Sequence, residues 1–401
     1  MSVSRALIIG GGISGPVAAT ALHKAGIDAR VYEAYPGPAY GIGSALALAP
    51  NGMAALEIVG AANAVREIAA PVSRSSASIG AKTIPMPQLT GVEPLQVVER
   101  PDLHRVLHDT AVAAGVPFEY NRRLVDVEEH AGGVTAHFAD GSTATGDVLI
   151  GADGIRSTVR ALVDPTAPGP KFLRMIGFGA TVDCDVECPP DTMVFAFGKR
   201  AYYIYWGMPD GRVAWGANLP HEQYLSLTEA RAVPAEQWLR ILRETYADDD
   251  PGHRLAQATT ADQLVTTGAL HIMPPVPRWH GGRLALTGDA VHAPSNTSGQ
   301  GASLAIESAI ELARCLRDIE DPATAFTTYE ALRRPRVEAV AARVARINNT
   351  KAAGPIARRV MQAVMPVMFK AMNPEKAFGA EQRFRIPWDE PVRPARMGSA
   401  A

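Results

Sequence analysis

Cysteine is scarce in this chain: 401 residues hold three, Cys184, Cys188 and Cys315. That is too few for a disulfide framework and points to a reducing compartment. Cys184 and Cys188 have a metal-like spacing, but no second pair accompanies them, so no metal site is expected. Charge of one sign is lacking too. A net charge of −2 offers no electrostatic basis for a nucleic-acid partner. No apolar run reaches transmembrane length, so no membrane partner is expected. Arg5 followed by an apolar stretch imitates a signal peptide, yet a glycine cluster interrupts it, which leaves a cytoplasmic location as the expectation. Internal repeats are absent. What is present is 47% hydrophobic and 20% charged residues, enough for a sizeable core and roughly two or three domains, or one large discontinuous domain.

Glycine is placed where it matters. Ala6 to Ile9 reads as an apolar strand, followed by Gly10-Gly-Gly-Ile-Ser-Gly15 and a helix to about Lys24, which Gly26 stops. Ala29 to Glu33 is a second strand, and Glu33 lies eighteen positions past Gly15. A Gly-x-Gly-x-x-Gly turn is weak alone but strong between strand and helix. Gly10 permits the tight turn, Gly12 the approach of a pyrophosphate and Gly15 close helix packing. Glu33 is placed for ribose hydroxyls, which favours a nucleotide with a free 2′-hydroxyl, such as FAD or NAD.

Two further segments repeat the theme of a carboxylate at a strand end. Asp147 to Ile150 runs into Gly151-Ala-Asp153-Gly, and Leu284 to Leu286 into Gly288-Asp289. After Asp289 come Pro294, Gly299, Gln300 and Gly301, then a helix whose Ala302, Ala305, Ala309, Leu312 and Leu316 form one face. Unpaired N–H groups at that helix start, with glycines beside them, suit a planar ligand edge, and Asp289 suits sugar-like hydroxyls. The combination fits a flavin; Gly-Asp alone fits a plain helix cap equally well.

Elsewhere Gly43 to Asn51 is a small-residue run before a helix from Gly52 to about Val59. Arg100 and Pro101 open a helix carrying Leu103 and Leu107, and Asp140-Gly141 marks a hairpin turn. Aromatics are concentrated between 172 and 219, in short runs that read as an antiparallel sheet flanking a pocket. A helix spans Trp238 to Tyr246. Helices are expected over Thr324–Arg333, Arg336–Asn348 and Ile356–Met372, the last packed on the first domain, with a disordered tail from Pro391.

Taken together, Gly10–Gly15 with Glu33, Gly151–Arg160 and Gly288–Gly301 resemble, over residues 4 to about 350, the single-component FAD-dependent aromatic hydroxylases, the para-hydroxybenzoate hydroxylase-like flavoprotein monooxygenases. The resemblance implies an α/β fold: a Rossmann-like FAD-binding domain of glutathione reductase type, an inserted mixed or antiparallel substrate sheet, and C-terminal helices. It assigns 1–70, 96–170 and 271–320 to the FAD domain, 71–95 and 171–270 to the substrate sheet, and 321–390 to the helices. It implies that Gly10, Gly12, Ser14 and Gly15 cradle the FAD pyrophosphate, Glu33 the adenosine ribose, and Leu124 the adenine by its main chain. Arg100 and Asp153 would lie at the cofactor, Asp289 at the ribityl chain, and Pro294 with the Gly299, Gln300 and Gly301 amides at the isoalloxazine. Ile306-Glu307-Ser308 departs from the family's usual Glu-Asp at little expected cost, and the Trp-x-Trp-x-Ile-Pro run of related halogenases is replaced by Tyr203-Ile-Tyr-Trp-Gly-Met-Pro209.

The implied reaction uses transiently bound NAD(P)H and O2 to hydroxylate an aromatic or similar hydrophobic small molecule through a flavin C4a-hydroperoxide, with His292 and Tyr203 as candidate substrate contacts. A flavin reductase or dehydrogenase without oxygen insertion, or a non-catalytic nucleotide-binding protein, are the rival expectations, and either a monomer or a homodimer is compatible.

Overall fold

The computed structural model describes residues 2–38, 45–80, 82–295, 299–348 and 355–394. Its centre is a six-stranded sheet ordered His280–Gly281, Leu284–Leu286, Val148–Gly151, Arg5–Ile9, Asp28–Tyr32 and Phe118–Glu119. All neighbours are parallel except the His280–Gly281 edge. A parallel sheet is covered on both faces, which is why its strands are unbroken apolar runs: Ala6, Leu7, Ile8, Leu149, Ile150 and Ala285 are each at most 1% exposed. Leu7 pairs with Leu149 and Ile150 with Ala285, so three runs distant in sequence end on the same edge of the sheet. The helices Ser14–Lys24 and Gly301–Asp318 pack together over one face.

A second sheet of seven strands is ordered Val265–Ile272, Lys171–Val182, Val213–Pro220, Tyr202–Gly207, Thr192–Phe197, Arg74–Ile79 and Lys82–Pro85. Only the Arg74–Ile79 pairing with Thr192–Phe197 is parallel. Side chains alternate across it with period two. One face carries Val194, Tyr203, Tyr205, Trp215 and Ala217 against Trp238, Leu239, Leu242 and Tyr246 of the helix Ala235–Tyr246. The opposite face looks back at the first sheet.

Several expectations need correction. Pro335 does not divide the helical region: Pro322–Asn348 is one helix. An interior proline costs roughly 3 kcal/mol, but Arg333 and Arg336 on either side bind Glu307, and Arg334 binds Glu330 and the Val276 and Pro277 carbonyls. The helix Pro355–Ala371 lies on the second sheet rather than the first, with Met365 and Phe369 packed on Ala77, Ile79 and Ile84. Residues 391–394 of the tail are docked through Val392, 8% exposed, whose N–H donates to Asp318 at 2.8 Å, and the rest of it lies outside the described residues. Residues 43 and 44 lie outside the described residues; Ala45–Leu48 is a strand and Pro50–Ile58 a helix. Among the described residues no helix is long and apolar enough to cross a membrane, and no cluster of three metal-ligating side chains occurs.

The helix Pro50–Ile58 meets the helix Gly301–Asp318 at Gly52, where an added Cβ would sit 2.5 Å from Ser303 Oγ and 2.9 Å from its Cα. Gly52→Ala gains about 1 kcal/mol of helix propensity but overpacks this crossing, so a net loss of about 1–2 kcal/mol is expected in urea unfolding. A midpoint equal to that of the parent chain would show that the two helices are free to part.

Candidate functional site

Between the strand ends of the first sheet and the inner face of the second lies a cavity of about 1610 Å3. The turn after Arg5–Ile9 forms one wall. Gly10 has φ +107°, and a Cβ there would fall 2.5 Å from the Ala152 carbonyl; one on Gly15 would fall 1.9 Å from the Gly10 carbonyl. Gly12 meets nothing within 4 Å and faces the cavity. The helix Ser14–Lys24 that follows has no side-chain cap, so its first N–H groups are left for a ligand. Ser14 also lines the cavity, and its hydroxyl reaches Thr287 Oγ1 at 3.3 Å. Glu33, at the end of the neighbouring strand, accepts from the Gly11 N–H at 2.7 Å and the Tyr35 N–H at 3.0 Å. The 121–124 segment is tied to the same place, since Arg122 N–H donates to the Glu33 carbonyl at 2.8 Å. The Leu124 side chain itself is 5% exposed and belongs to the core.

The opposite wall begins at the short turn Gly288–Ala290, where Gly288 has φ +61° and a Cβ would meet Ser14 at 2.8 Å. Asp289 lines the cavity. Burial pushes its carboxyl above the usual range, and the Arg100 guanidinium pulls against that shift. Arg100 is the first residue of the helix Arg100–Ala113 and lines the same space. Pro294, Gly299, Gln300 and Gly301 border it too, ahead of a second helix start without a side-chain cap. An acceptor, a cation and two helix starts without a side-chain cap therefore face one chamber.

The floor is the inner face of the seven-stranded sheet. Register places Gly179 beside Gly216, Gly216 beside Ile204, and Ile204 beside Phe195. A Cβ on Gly216 would meet nothing closer than 3.4 Å, so glycine there leaves room rather than avoiding a clash. Met193, Tyr202 and Trp206 complete this face.

Three expected residues are corrected. Tyr203 is one position out of phase: it points to the covered face, 2% exposed, packs on Tyr246 and accepts from the Gly252 N–H at 3.1 Å, while Tyr202 and Ile204 face the cavity. His292 is 5% exposed and turned into the core, sharing a hydrogen bond with Ser308 Oγ at 2.8 Å beside Trp279. Burial, reinforced by the Arg333 charge, drops its pKa to about 3, so the ring is neutral. The Asp153 side chain is consumed by its own turn, accepting from Ser157 Oγ at 2.5 Å, Thr158 N–H at 2.7 Å and Val159 N–H at 3.1 Å. Its neighbours Ala152, Gly154 and Ile155 line the cavity instead.

Residues that sequence reasoning missed sit behind the Gln300 loop. Asn51 Nδ2 donates to Gln300 Oε1 at 3.0 Å and to Glu307 Oε1 at 2.7 Å. Glu307 is fully buried and also accepts from Arg333 and Arg336 at 2.7–2.8 Å. Burial alone would raise its carboxyl; the two guanidiniums hold it below the usual range. Glu307 is thus a hub, not an inconsequential departure. In the sequence it sits with Ser303, Glu311 and Arg314 opposite the apolar stripe, where a polar residue reads as solvated, so nothing marked it as buried.

A family model described as an FAD binding domain matches residues 4–344. Over 344 residues the chain is 30% identical to an FAD-dependent urate hydroxylase of Klebsiella pneumoniae, covering 83% of this chain and 86% of that one. It is also 30% identical to a 6-hydroxynicotinate 3-monooxygenase of Pseudomonas fluorescens, covering 84% and 89%. Among solved structures, Klebsiella pneumoniae HpxO complexed with FAD and uric acid superposes with a TM-score of 0.79 at 25% identity, covering 94% of this chain and 96% of that one.

The Arg100 helix carries a buried histidine, His104, whose two ring nitrogens have no hydrogen-bond partner among the described residues. Burial, with Arg100 nearby, lowers its pKa from 6.5 to about 4. The unfolded chain therefore binds the proton first, and stability is lost as pH falls from 6.5 towards 4. His104→Leu is expected to flatten that loss in urea midpoints recorded across the window. An unchanged slope would mean that His104 is solvated.

Proposed function

The chain belongs to the FAD-binding family of flavin-dependent aromatic hydroxylases and monooxygenases, and from that premise we propose how its own residues serve the reaction. The enzyme is an FAD-dependent monooxygenase that hydroxylates an aromatic-like molecule. In this reading Gly10, Gly12, Ser14 and Gly15 carry the pyrophosphate on backbone N–H groups and Glu33 takes the adenosine ribose. Asp289 and Arg100 hold the ribityl side, and the Gly299–Gln300–Gly301 amides with Pro294 border the ring. Bound there, FAD would supply the redox and oxygen-activating chemistry, with NADH or NADPH as the transient reductant. The protein's part is positioning and electrostatics.

The loop amides and the helix start at Gly301 stabilise negative charge at the ring's pyrimidine edge with dipoles that need no reorganisation. The inner sheet face, built from Met193, Phe195, Ile204 and Trp206, excludes water that would divert activated oxygen. The glycine pair Gly179 and Gly216 leaves a flat gap for a planar substrate. His292, neutral and walled off, takes no proton in this scheme. The observation that carries the reading is the convergence of Asp289, Gly12 and the Gly299–Gly301 loop on a single cavity floored by the inner face of the seven-stranded sheet.

The test is purification followed by turnover. A yellow protein is expected whose NAD(P)H oxidation quickens with an aromatic substrate and whose product carries one atom from 18O2. Product without label would make it an oxidoreductase that does not insert oxygen. Asp289→Ala removes a partly buried charged acceptor worth about 1.5–3 kcal/mol, so FAD should bind roughly ten- to a hundredfold more weakly by fluorescence titration. Unchanged FAD affinity would remove Asp289 from the site.

A further inference from the structure

The cavity continues well past the flavin loop. From Pro294 it follows Phe195 and Phe197 along the sheet and ends under the helix Pro355–Ala371. Its volume of about 1610 Å3 exceeds the roughly 300–1,000 Å3 of an ordinary small-molecule pocket. FAD, placed as above, takes the lining at Gly12, Ser14, Arg100, Asp289 and Gly299–Gly301; the lining under the helix Pro355–Ala371 is left unassigned.

That arm is apolar. Met365 and Phe369 anchor the helix on Ala77 and Ile79, while Val360, Val364 and Met368 line the cavity and are still 55%, 51% and 46% exposed. They recur every four residues and so form one stripe along the helix. From Val360 to Met368 the stripe spans about 12 Å at 1.5 Å per residue, the length of an extended hydrocarbon of about ten carbons. The charged side chains along this arm are already paired, Arg343 with Glu381 at 2.5 Å and Glu93 with Arg66 at 2.6 Å. Among the described residues lining this arm an ionic group would find no unpaired counter-charge; a hydrocarbon chain would cover an apolar stripe half open to water.

Resting on the flavoenzyme reading above, we propose that the substrate is a planar aromatic ring bearing a long, neutral hydrocarbon chain, the ring on the Gly179–Gly216 floor and the chain along Val360, Val364 and Met368. The helix Pro355–Ala371 is then a specificity element of the active site.

The experiment uses the FAD-loaded full chain and three probes, 4-methylphenol, 4-butylphenol and 4-octylphenol, with affinity read from perturbation of the flavin absorption. Full burial of a methylene strengthens binding about fourfold, so a gain of at least a hundredfold from methyl to octyl is expected. Val364→Asp and Met368→Asp should erase most of that gain. Val367→Asp, 68% exposed and outside the cavity lining, should keep it. Equal affinity for methyl and octyl, no octylphenol binding by a chain that holds FAD, or a gain that survives both stripe variants overturns the inference while the flavin reading stands. Co-sedimentation with phosphatidylcholine vesicles that Val364→Asp abolishes, with the octyl gain intact, overturns it in favour of a lipid surface. A chain that takes up no FAD removes the underlying reading and this inference with it.

Discussion

The parallel pairing of Arg5–Ile9, Val148–Gly151 and Leu284–Leu286 is the constraint on which the molecule rests. Parallel strands buried on both faces have no freedom to slip, because any shift would strand backbone groups and part apolar side chains. Fixed in register, all three release their chains at one edge, and each leaves in a turn that only glycine fits: Gly10, Gly151 and Gly288 would each bring a Cβ within 2.8 Å of a neighbour. Loops that begin from rigid points can be placed finely. Here they deliver the Gly12 turn and Asp289 to the same chamber, and the buried Arg160 side chain ties two of them together by donating to the Ala290 carbonyl at 2.8 Å.

The second sheet divides its labour by parity. Residues of one phase, Tyr203, Tyr205 and Trp215, are bulky and locked under a helix, and they give the sheet its stiffness. Residues of the other phase face the cavity, where Gly179 and Gly216 leave a gap beside Ile204, Phe195 and Trp206. An aromatic on this sheet is therefore as much ballast as binding surface, depending on a single step along the strand.

Behind the cofactor loop, charge replaces hydrophobic contact. Glu307 and Arg333 are at most 1% exposed. A buried ion pair of this kind is a weak source of net stability, yet removing one partner costs about 3–5 kcal/mol. Its effect is to specify geometry. Through Asn51 it sets the Gln300 side chain, and through Arg336, which lies 4.1 Å over Phe384 and donates to the Ala380 and Glu381 carbonyls, it fastens the C-terminal segment to the same point. The Gly299–Gly301 loop and the chain's last helices thus share one electrostatic anchor.

What the amino-acid order determined by itself was local: strand, glycine turn and helix at Gly10–Gly15, the carboxylate at a strand end at Asp289, and the glycine-flanked helix start at Gly301. Each follows from backbone sterics and short-range periodicity, so each is readable within a dozen residues. Which face a strand presents is not local. Tyr203 and Tyr202 have similar chemistry, and only pairing with Phe195–Phe197 and packing against Tyr246 decides which one meets the cavity. Asp153 drew notice as a carboxylate at a strand end and His292 as a candidate substrate contact; the fold gave His292 to Ser308 and Asp153 to its own helix start. The Glu307 hub and the landing of the helix Pro355–Ala371 on Ala77 and Ile79 join segments more than 200 residues apart. Contacts at that separation have no periodicity to betray them, and the tertiary structure alone decided them.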